Sequence, residues 1–309
     1  MKIEKREIIF EPLDAYCALF DETFGDFDVE RSYQFCKSVV KNHYENFPVG
    51  SFLIPPGHRR FFYSIYTFAR LADDIADSNY YSLETTHRLS LLNKLESSIN
   101  LLQTSNKINN PVFLALKDTI ERKELPLEPF HKLLKAFKMD VCFIQPNNWN
   151  ELENYCSFSA NPVGELILRL FGECNQMNLE FSNKICTGLQ LANFWQDLSI
   201  DIPLGRNYIP KDVMNRFGLN FNSQVTSKEK DKLELCFEYL IQRTKEYLLD
   251  GWQLVLYLQD KRLKFEIDAI VNSGLRILSK EKRLGARLIR KRPKLNLLDF
   301  VSVIFNVFL

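Results

Sequence analysis

Glycine is scarce in this chain, and the scarcity excludes whole classes of site. Eleven glycines occur in 309 residues, and no two lie closer than seven positions apart, as Gly50 and Gly57 do. Neither G-x-G-x-x-G nor G-x-x-x-x-G-K-[ST] can be written from them, so no glycine-rich backbone cradle is available for a nucleotide phosphate. Proline is nearly as rare, at 12, and the shortage of helix breakers favours long helices. Cysteine is scattered and odd in number: Cys17, Cys36, Cys142, Cys156, Cys174, Cys186 and Cys236 form no C-x-x-C pair. That pattern is expected of reduced, mostly buried thiols in a cytoplasmic protein. The four histidines are dispersed without H-E-x-x-H, which argues against zinc. An excess of charge of one sign is missing too: 40 Lys and Arg offset 39 Asp and Glu, so a dense phosphate-binding face for nucleic acid is not expected. No apolar run reaches the 18 or so residues of a membrane span. The nearest is Leu295 to Leu309, which Asp299 interrupts. The charged start, Met1 to Glu7, does not read as a signal peptide.

What the chain has is apolar bulk, 46% of residues with 25 phenylalanines, enough to fold a core. The first thirty residues are acidic and irregular, a variable lead-in. Helical patterning starts near Arg31. His58 to Asn110 contains no Gly or Pro and is predicted to form two helices with a turn around Ser78 to Ser82. Pro162-Val163-Gly164 marks a break or kink, and Leu189 to Ile202, Leu219 to Asp250 and Trp252 to Ser273 are again free of breakers. Alternating strand patterns are absent. The expectation is one all-α domain over residues 31–309 of roughly ten helices.

Two of these helices carry acidic motifs. Tyr66, Arg70, Asp73 and Asp77, spaced 4, 3 and 4, fall within an arc of roughly 60° on one helix face, with the two carboxylates about 6 Å apart along the axis. Gln190, Asn193, Asp197 and Asp201 repeat the arrangement within roughly 80°. Apolar residues run beside each stripe. The second motif is followed by Gly205-Arg206-Asn207-Tyr208-Ile209-Pro210, a basic and phenolic loop. One aspartate pair at i, i+4 is usually a solvated helix face. Two copies are harder to dismiss, because like charges at that spacing weaken a helix. Magnesium prefers oxygen and is usually held by one or two carboxylates together with substrate phosphates and water. Two such helices facing each other across a cavity would hold several Mg²⁺ around one diphosphate, with Arg70 and Arg206 as forked donors. The metals would then draw charge from a leaving diphosphate and drive ionisation at an allylic or cyclopropylcarbinyl carbon. Phe and Tyr could line a hydrocarbon tunnel, although such an excess more often builds plain core. The basic cluster Arg287, Arg290, Lys291, Arg292 and Lys294 reads first as a solvated face, with diphosphate or anionic lipid as the other uses.

At these residues the chain resembles the squalene/phytoene synthase family. The resemblance rests on Tyr66-x-x-x-Arg70-x-x-Asp73-Asp74-Ile75-Ala76-Asp77, Tyr155-Cys156 and Asn161-Pro162-Val163-Gly164-Glu165. It continues through Gln190-x-x-Asn193-x-x-x-Asp197-x-x-x-Asp201 and Gly205-Arg206-x-Tyr208-x-Pro210, and covers roughly Arg31 to Pro293. It is nearest to the bacterial hopanoid-pathway hydroxysqualene synthase branch, through His43-Tyr44-Glu45-Asn46-Phe47-Pro48-Val49, Ser159-Ala160-Asn161 and Asn193-Phe194-Trp195-Gln196-Asp197.

The resemblance implies an isoprenoid-synthase helical fold around a central cavity. It also implies two or three Mg²⁺ ions with the diphosphate, held by Asp73, Asp77, Asn193, Asp197 and Asp201. Tyr66 joins the aspartates as a catalytic residue. Arg70, Gln190, Gln196, Arg206, Tyr208, Tyr155 and Asn161 would bind substrate. The branch would take presqualene diphosphate and water to hydroxysqualene and diphosphate without a nicotinamide cofactor, coupled to an upstream presqualene diphosphate synthase. Relatives usually carry Arg where Gln196 stands, so Gln196 is expected to position or admit water. They often carry an aromatic near Gly285-Ala286-Arg287, so no C-terminal residue is assigned a role. A condensing prenyl synthase, making presqualene diphosphate, squalene or phytoene from two prenyl diphosphates, shares the metal motifs. A non-catalytic helical scaffold or membrane adaptor would use the basic cluster and the apolar tail instead. Peripheral contact with the inner membrane rests on that tail alone.

Overall fold

The computed structural model describes residues 27–42, 54–77, 84–104, 108–219, 227–296 and 299. Most of the acidic lead-in, the His43 to Val49 segment, the whole Ser78 to Ser82 turn and most of the Leu295 to Leu309 tail lie outside them. Among the described residues every regular element is a helix and none is a strand. The chain divides into two compact units, one running to Cys142 with residues 49–54 left out, the other holding those and everything from Phe143.

The first unit contains α1 (Val29–Asn42), α2 (Pro56–Ala76), α3 (Thr85–Leu101), α4 (Pro111–Lys123) and α5 (Glu128–Val141). α2 starts where Pro55-Pro56 stops the preceding chain, since proline needs no N–H partner in a first helical turn. It buries Phe61, Ile65, Phe68, Leu71, Ala72 and Ile75, and the Phe68 ring meets Phe130 of α5 edge to face at 5.7 Å. α1, α2 and α4 pack together around buried hydroxyls. The Tyr33 hydroxyl bonds Asp118 at 2.8 Å, and the Thr119 hydroxyl bonds those of Tyr33 and Ser64 at 2.9 and 2.7 Å. Arg88 of α3, itself buried, donates to the Ala76 carbonyl at 2.7 Å and so satisfies the end of α2.

The second unit contains α6 (Trp149–Ser159), α7 (Asn161–Leu170), α8 (Gln176–Gln196), α9 (Leu198–Asp201), α10 (Lys211–Phe217), α11 (Ser227–Trp252), α12 (Leu254–Tyr257) and α13 (Lys261–Leu284). Short 3₁₀ turns at Ile202–Leu204 and Gly285–Ile289 complete it. α8 is the centre: α6, α7, α11 and α13 all pack on it. Small residues set the close crossings. A Cβ on Gly251 of α11 would lie 2.8 Å from the Ile185 backbone nitrogen and 2.9 Å from the Phe181 carbonyl oxygen. A Cβ on Gly164 of α7 would collide with the Ser182 hydroxyl. The break read at Pro162-Val163-Gly164 therefore has two parts. Ala160 separates α6 from α7, with Pro162 in the first turn of α7, and Gly164 is the contact point with α8.

The structure corrects two expectations. Thirteen α-helices are present among the described residues, rather than about ten, because long breaker-free runs are cut into short pieces. Leu189 to Ile202 is one such run: α8 stops at Gln196, and Asp197 leaves helical geometry at φ −99°, ψ 5°. Hydrogen bonding passes through the joint, since Asp197 N–H reaches the Asn193 carbonyl and Asp201 N–H reaches the Asp197 carbonyl. No breaker is needed for a bend that keeps its ladder.

Candidate functional site

The first acidic motif sits at the end of α2. Asp77 is not inside the helix: it is the C-cap, at φ −79° and ψ 114°, with its N–H still bonded to the Asp73 carbonyl at 2.9 Å. Asp73 is half exposed, whereas Asp74 is buried. Arg70 serves both neighbours, donating to Asp74 at 2.5 Å and to Asp73 at 3.3 Å. Burial pushes the Asp74 carboxyl above its usual range, and the Arg70 guanidinium partly offsets this. Arg70, expected at the substrate, is thus also what permits a buried carboxylate in the middle of the motif. The Tyr66 ring stacks on Phe62 at 6.1 Å. Burial raises its hydroxyl pKa, with the Arg70 charge working in the opposite direction.

The second motif straddles the joint between α8 and α9. Trp195, fully buried, donates from its indole N–H to the Thr244 hydroxyl at 2.8 Å and fastens the end of α8 to α11. Asn193 is exposed beside it, and Gln190, Gln196, Asp197 and Asp201 are half-buried. Gln196 donates to the Pro293 carbonyl at 2.7 Å. Arg292 then places its guanidinium on Asp197, with Nη2 at 3.2 Å from Oδ2 and Nε in contact with Oδ1. Burial raises the Asp197 carboxyl, and Arg292 pulls it back. The Gly205 backbone, at φ 78°, turns the chain so that the Arg206 N–H returns to the Asp201 carbonyl at 2.9 Å. That turn ties the basic loop to the motif.

Tyr208 is only 8% exposed, its ring stacked on Phe194 at 3.9 Å. Tyr155 meets those rings at 5.6 and 5.8 Å, and Phe143 meets Tyr208 at 5.0 Å. Asn161 accepts from the buried Thr187 hydroxyl at 3.0 Å, one turn before Gln190 on α8. The structure thus brings Asp197, Asp201, Gln196 and Arg206 together and sets Tyr155 and Tyr208 in an aromatic cluster of the same unit.

Two residues at the second motif were not assigned from sequence. Arg292 was one cation in a basic run, and nothing in the run singled it out. Glu281, in Ser279-Lys280-Glu281-Lys282, has the surroundings of a solvated residue but is completely buried on α13. Among the described residues neither of its carboxylate oxygens has a hydrogen-bond partner. Its carboxyl is raised well above the ordinary range, first by burial and then by the Asp197 charge.

The donors at both motifs are hard oxygens, the chemistry magnesium takes. No three His, Cys, Asp or Glu side chains converge among the described residues. Such a donor set suits an ion that completes its shell with water and phosphate oxygens, and it does not suit an all-protein cage.

The model of the family described as "Squalene/phytoene synthase" matches residues 40–299. The chain belongs to the squalene/phytoene synthase family. It is an enzyme of that family, with the all-α isoprenoid-synthase fold. The hydroxysqualene synthase of Rhodopseudomonas palustris is 34% identical over 85% of this chain and 87% of its own length. That of Sinorhizobium fredii is 32% identical over 86% of this chain and 88% of its own. The crystal structure of squalene synthase HpnC from Alicyclobacillus acidocaldarius superposes with a TM-score of 0.76 at 30% identity, covering 83% of this chain and 95% of that one. Among the described residues no helix is long and apolar enough to cross a membrane.

Proposed function

We propose that this squalene/phytoene synthase family member converts presqualene diphosphate and water to hydroxysqualene and diphosphate. The observation that carries the reading is the match, over most of both chains, to relatives named hydroxysqualene synthase. Asp73 and Asp77, and Asn193, Asp197 and Asp201, would hold Mg²⁺. When bound, the ions supply positive charge that stabilises the departing diphosphate. Arg70 and Arg206 add fixed guanidinium charge for the phosphate oxygens, and Arg292 adds another held at Asp197. The C–O bond to diphosphate breaks with its electron pair on the leaving group. The cyclopropylcarbinyl cation rearranges, and water adds to it with loss of one proton. The face of a ring such as Tyr155 can stabilise a passing cation. The aromatic cluster also lends an apolar surround that limits stray water. Gln196, a neutral amide anchored to Pro293, would shape the wet edge of the second motif.

A second reading is favoured by the squalene synthase name of the Alicyclobacillus structure: condensation of prenyl diphosphates by the same machinery. Purified protein with Mg²⁺ is supplied with presqualene diphosphate, or with farnesyl diphosphate alone, and nicotinamide cofactor is omitted. Mass spectrometry then identifies the lipid. Hydroxysqualene from the first substrate and no product from the second supports the proposal. Condensation of farnesyl diphosphate overturns it. Asp73→Ala and Asp197→Ala should each abolish turnover, which a non-catalytic scaffold would not show.

A further inference from the structure

Glu281 is an anomaly in energetic terms. A buried carboxyl without a hydrogen bond is costly inside a protein. Here both oxygens are unpartnered among the described residues, and the residue is 0% exposed. It also lies in the last turn of α13, the negative end of the helix dipole, where an anion is disfavoured. The side-chain charge acting on it is that of Asp197, of the same sign. Asp197 has Arg292, whereas no ion pair among the described residues reaches Glu281. The packing explains the meeting: α13 lies on α8, and the 3₁₀ turn following it lies on α9. The last turn of α13 is thereby set beside the α8–α9 joint. With both carboxyls ionised, two carboxylates and one guanidinium would leave one negative charge uncompensated in a buried place. A divalent cation would supply the missing charge, and two carboxylates are the number such an ion takes when water and phosphate fill the remaining positions.

We propose that Glu281 is a carboxylate ligand of a divalent cation shared with Asp197, extending the second aspartate motif by a residue from α13. The inference rests on the magnesium-dependent reading above and adds a ligand to it. Without a cation no hydrogen bond among the described residues holds the Glu281 carboxyl, and the side chain is positioned by packing alone. With one, both carboxylates and the ion form a unit that ties α13 to the α8–α9 joint.

The test measures Mn²⁺ directly, by loss of the free-ion electron paramagnetic resonance signal, with and without inorganic diphosphate. Wild type should bind, and Glu281→Gln should weaken the tightest site at least tenfold. Glu281→Asp, which keeps the carboxylate, should recover part of that affinity. Asp197→Asn should weaken the same site, with little further loss in the double variant. Circular dichroism establishes that the variants fold, and Glu281→Leu serves as a packing control that should fold and melt higher. Unchanged Mn²⁺ affinity in folded Glu281→Gln overturns the proposal, as does a wild type that takes up no Mn²⁺ in either condition. Lipid product is assayed separately. Hydroxysqualene formation with unaffected Mn²⁺ binding sinks only the Glu281 ligand. A different lipid with the expected Mn²⁺ losses sinks only the substrate reading.

Discussion

Arg292 grips Asp197 from 95 positions further along the chain, with a guanidinium nitrogen 3.2 Å from the carboxylate. The contact joins the second acidic motif to a segment that sequence alone presents as one more basic surface run. A charge-assisted pair of this kind is worth about 1.5–3 kcal/mol. Arg292→Ala is therefore expected to lower kcat/KM for the diphosphate substrate by about 10–100-fold. Arg292→Lys should recover only part of that, because an ammonium does not reproduce the fork. Steady-state kinetics at saturating Mg²⁺ would show it, and equal turnover in Arg292→Ala would remove Arg292 from the site.

The Arg70–Asp74 pair makes a different prediction. Asp74 is 1% exposed and Arg70 21%. Removing the guanidinium leaves a buried carboxylate alone, at a cost of about 3 kcal/mol. Arg70→Ala should therefore lower the melting temperature by several degrees besides lowering activity. Adding Asp74→Asn should restore much of the stability and none of the activity. If thermal unfolding of Arg70→Ala matches wild type, the pair is not a structural one.

Gly251 and Gly164 separate two kinds of crowding. A methyl group at Gly251 would meet backbone atoms of α8 at 2.8 and 2.9 Å, and helix backbone cannot step aside cheaply. At Gly164 it meets the ends of the Ser182 and Cys186 side chains, which can rotate. Both alanine variants should be destabilised by about 1–3 kcal/mol, Gly251→Ala the more. Denaturant unfolding would rank them, and the reverse order would contradict backbone crowding at the α8–α11 crossing.

Glu266 sets a pH dependence of stability. It is 5% exposed, and burial raises its carboxyl from 4.5 to about 8. Below about pH 4.5 the group is protonated in folded and unfolded chains alike, so it contributes no pH dependence there. As pH rises from about 4.5 to about 8, the unfolded chain releases the proton first, and stability falls by on the order of a few kcal/mol. Above that window both states are charged and the loss levels off. Glu266→Gln should flatten this slope and melt higher than wild type near pH 8. Parallel melting curves across pH would show that Glu266 titrates normally.

Much of this was legible from residues close together in sequence. Spacings of three and four between Tyr66 and Asp77 place a stripe on a helix, although that helix begins at Pro56, ahead of the breaker-free run from His58. Helix ends were harder. Asp77 and Asp197 both sit at the edge of a helix, and nothing beside either residue marks the place. Their positions are decided by partners elsewhere: Arg88 closing the end of α2, and Trp195 pinning α8 through Thr244. Glu281 and Arg292 lay outside any local pattern because their roles come from α13 and the segment after it meeting the α8–α9 joint. A charged residue among lysines looks the same to sequence whether it faces solvent or a buried carboxylate.

The hydrogen bond from Gln196 to the Pro293 carbonyl also has a consequence for synthesis. The ribosome delivers α8 nearly a hundred residues before the segment that fastens its end. A growing chain that stops short of that segment lacks the groups that close the second motif. Partial chains would therefore be built yet inert, and activity would arise only once the residues around Arg292 and Pro293 have left the exit tunnel.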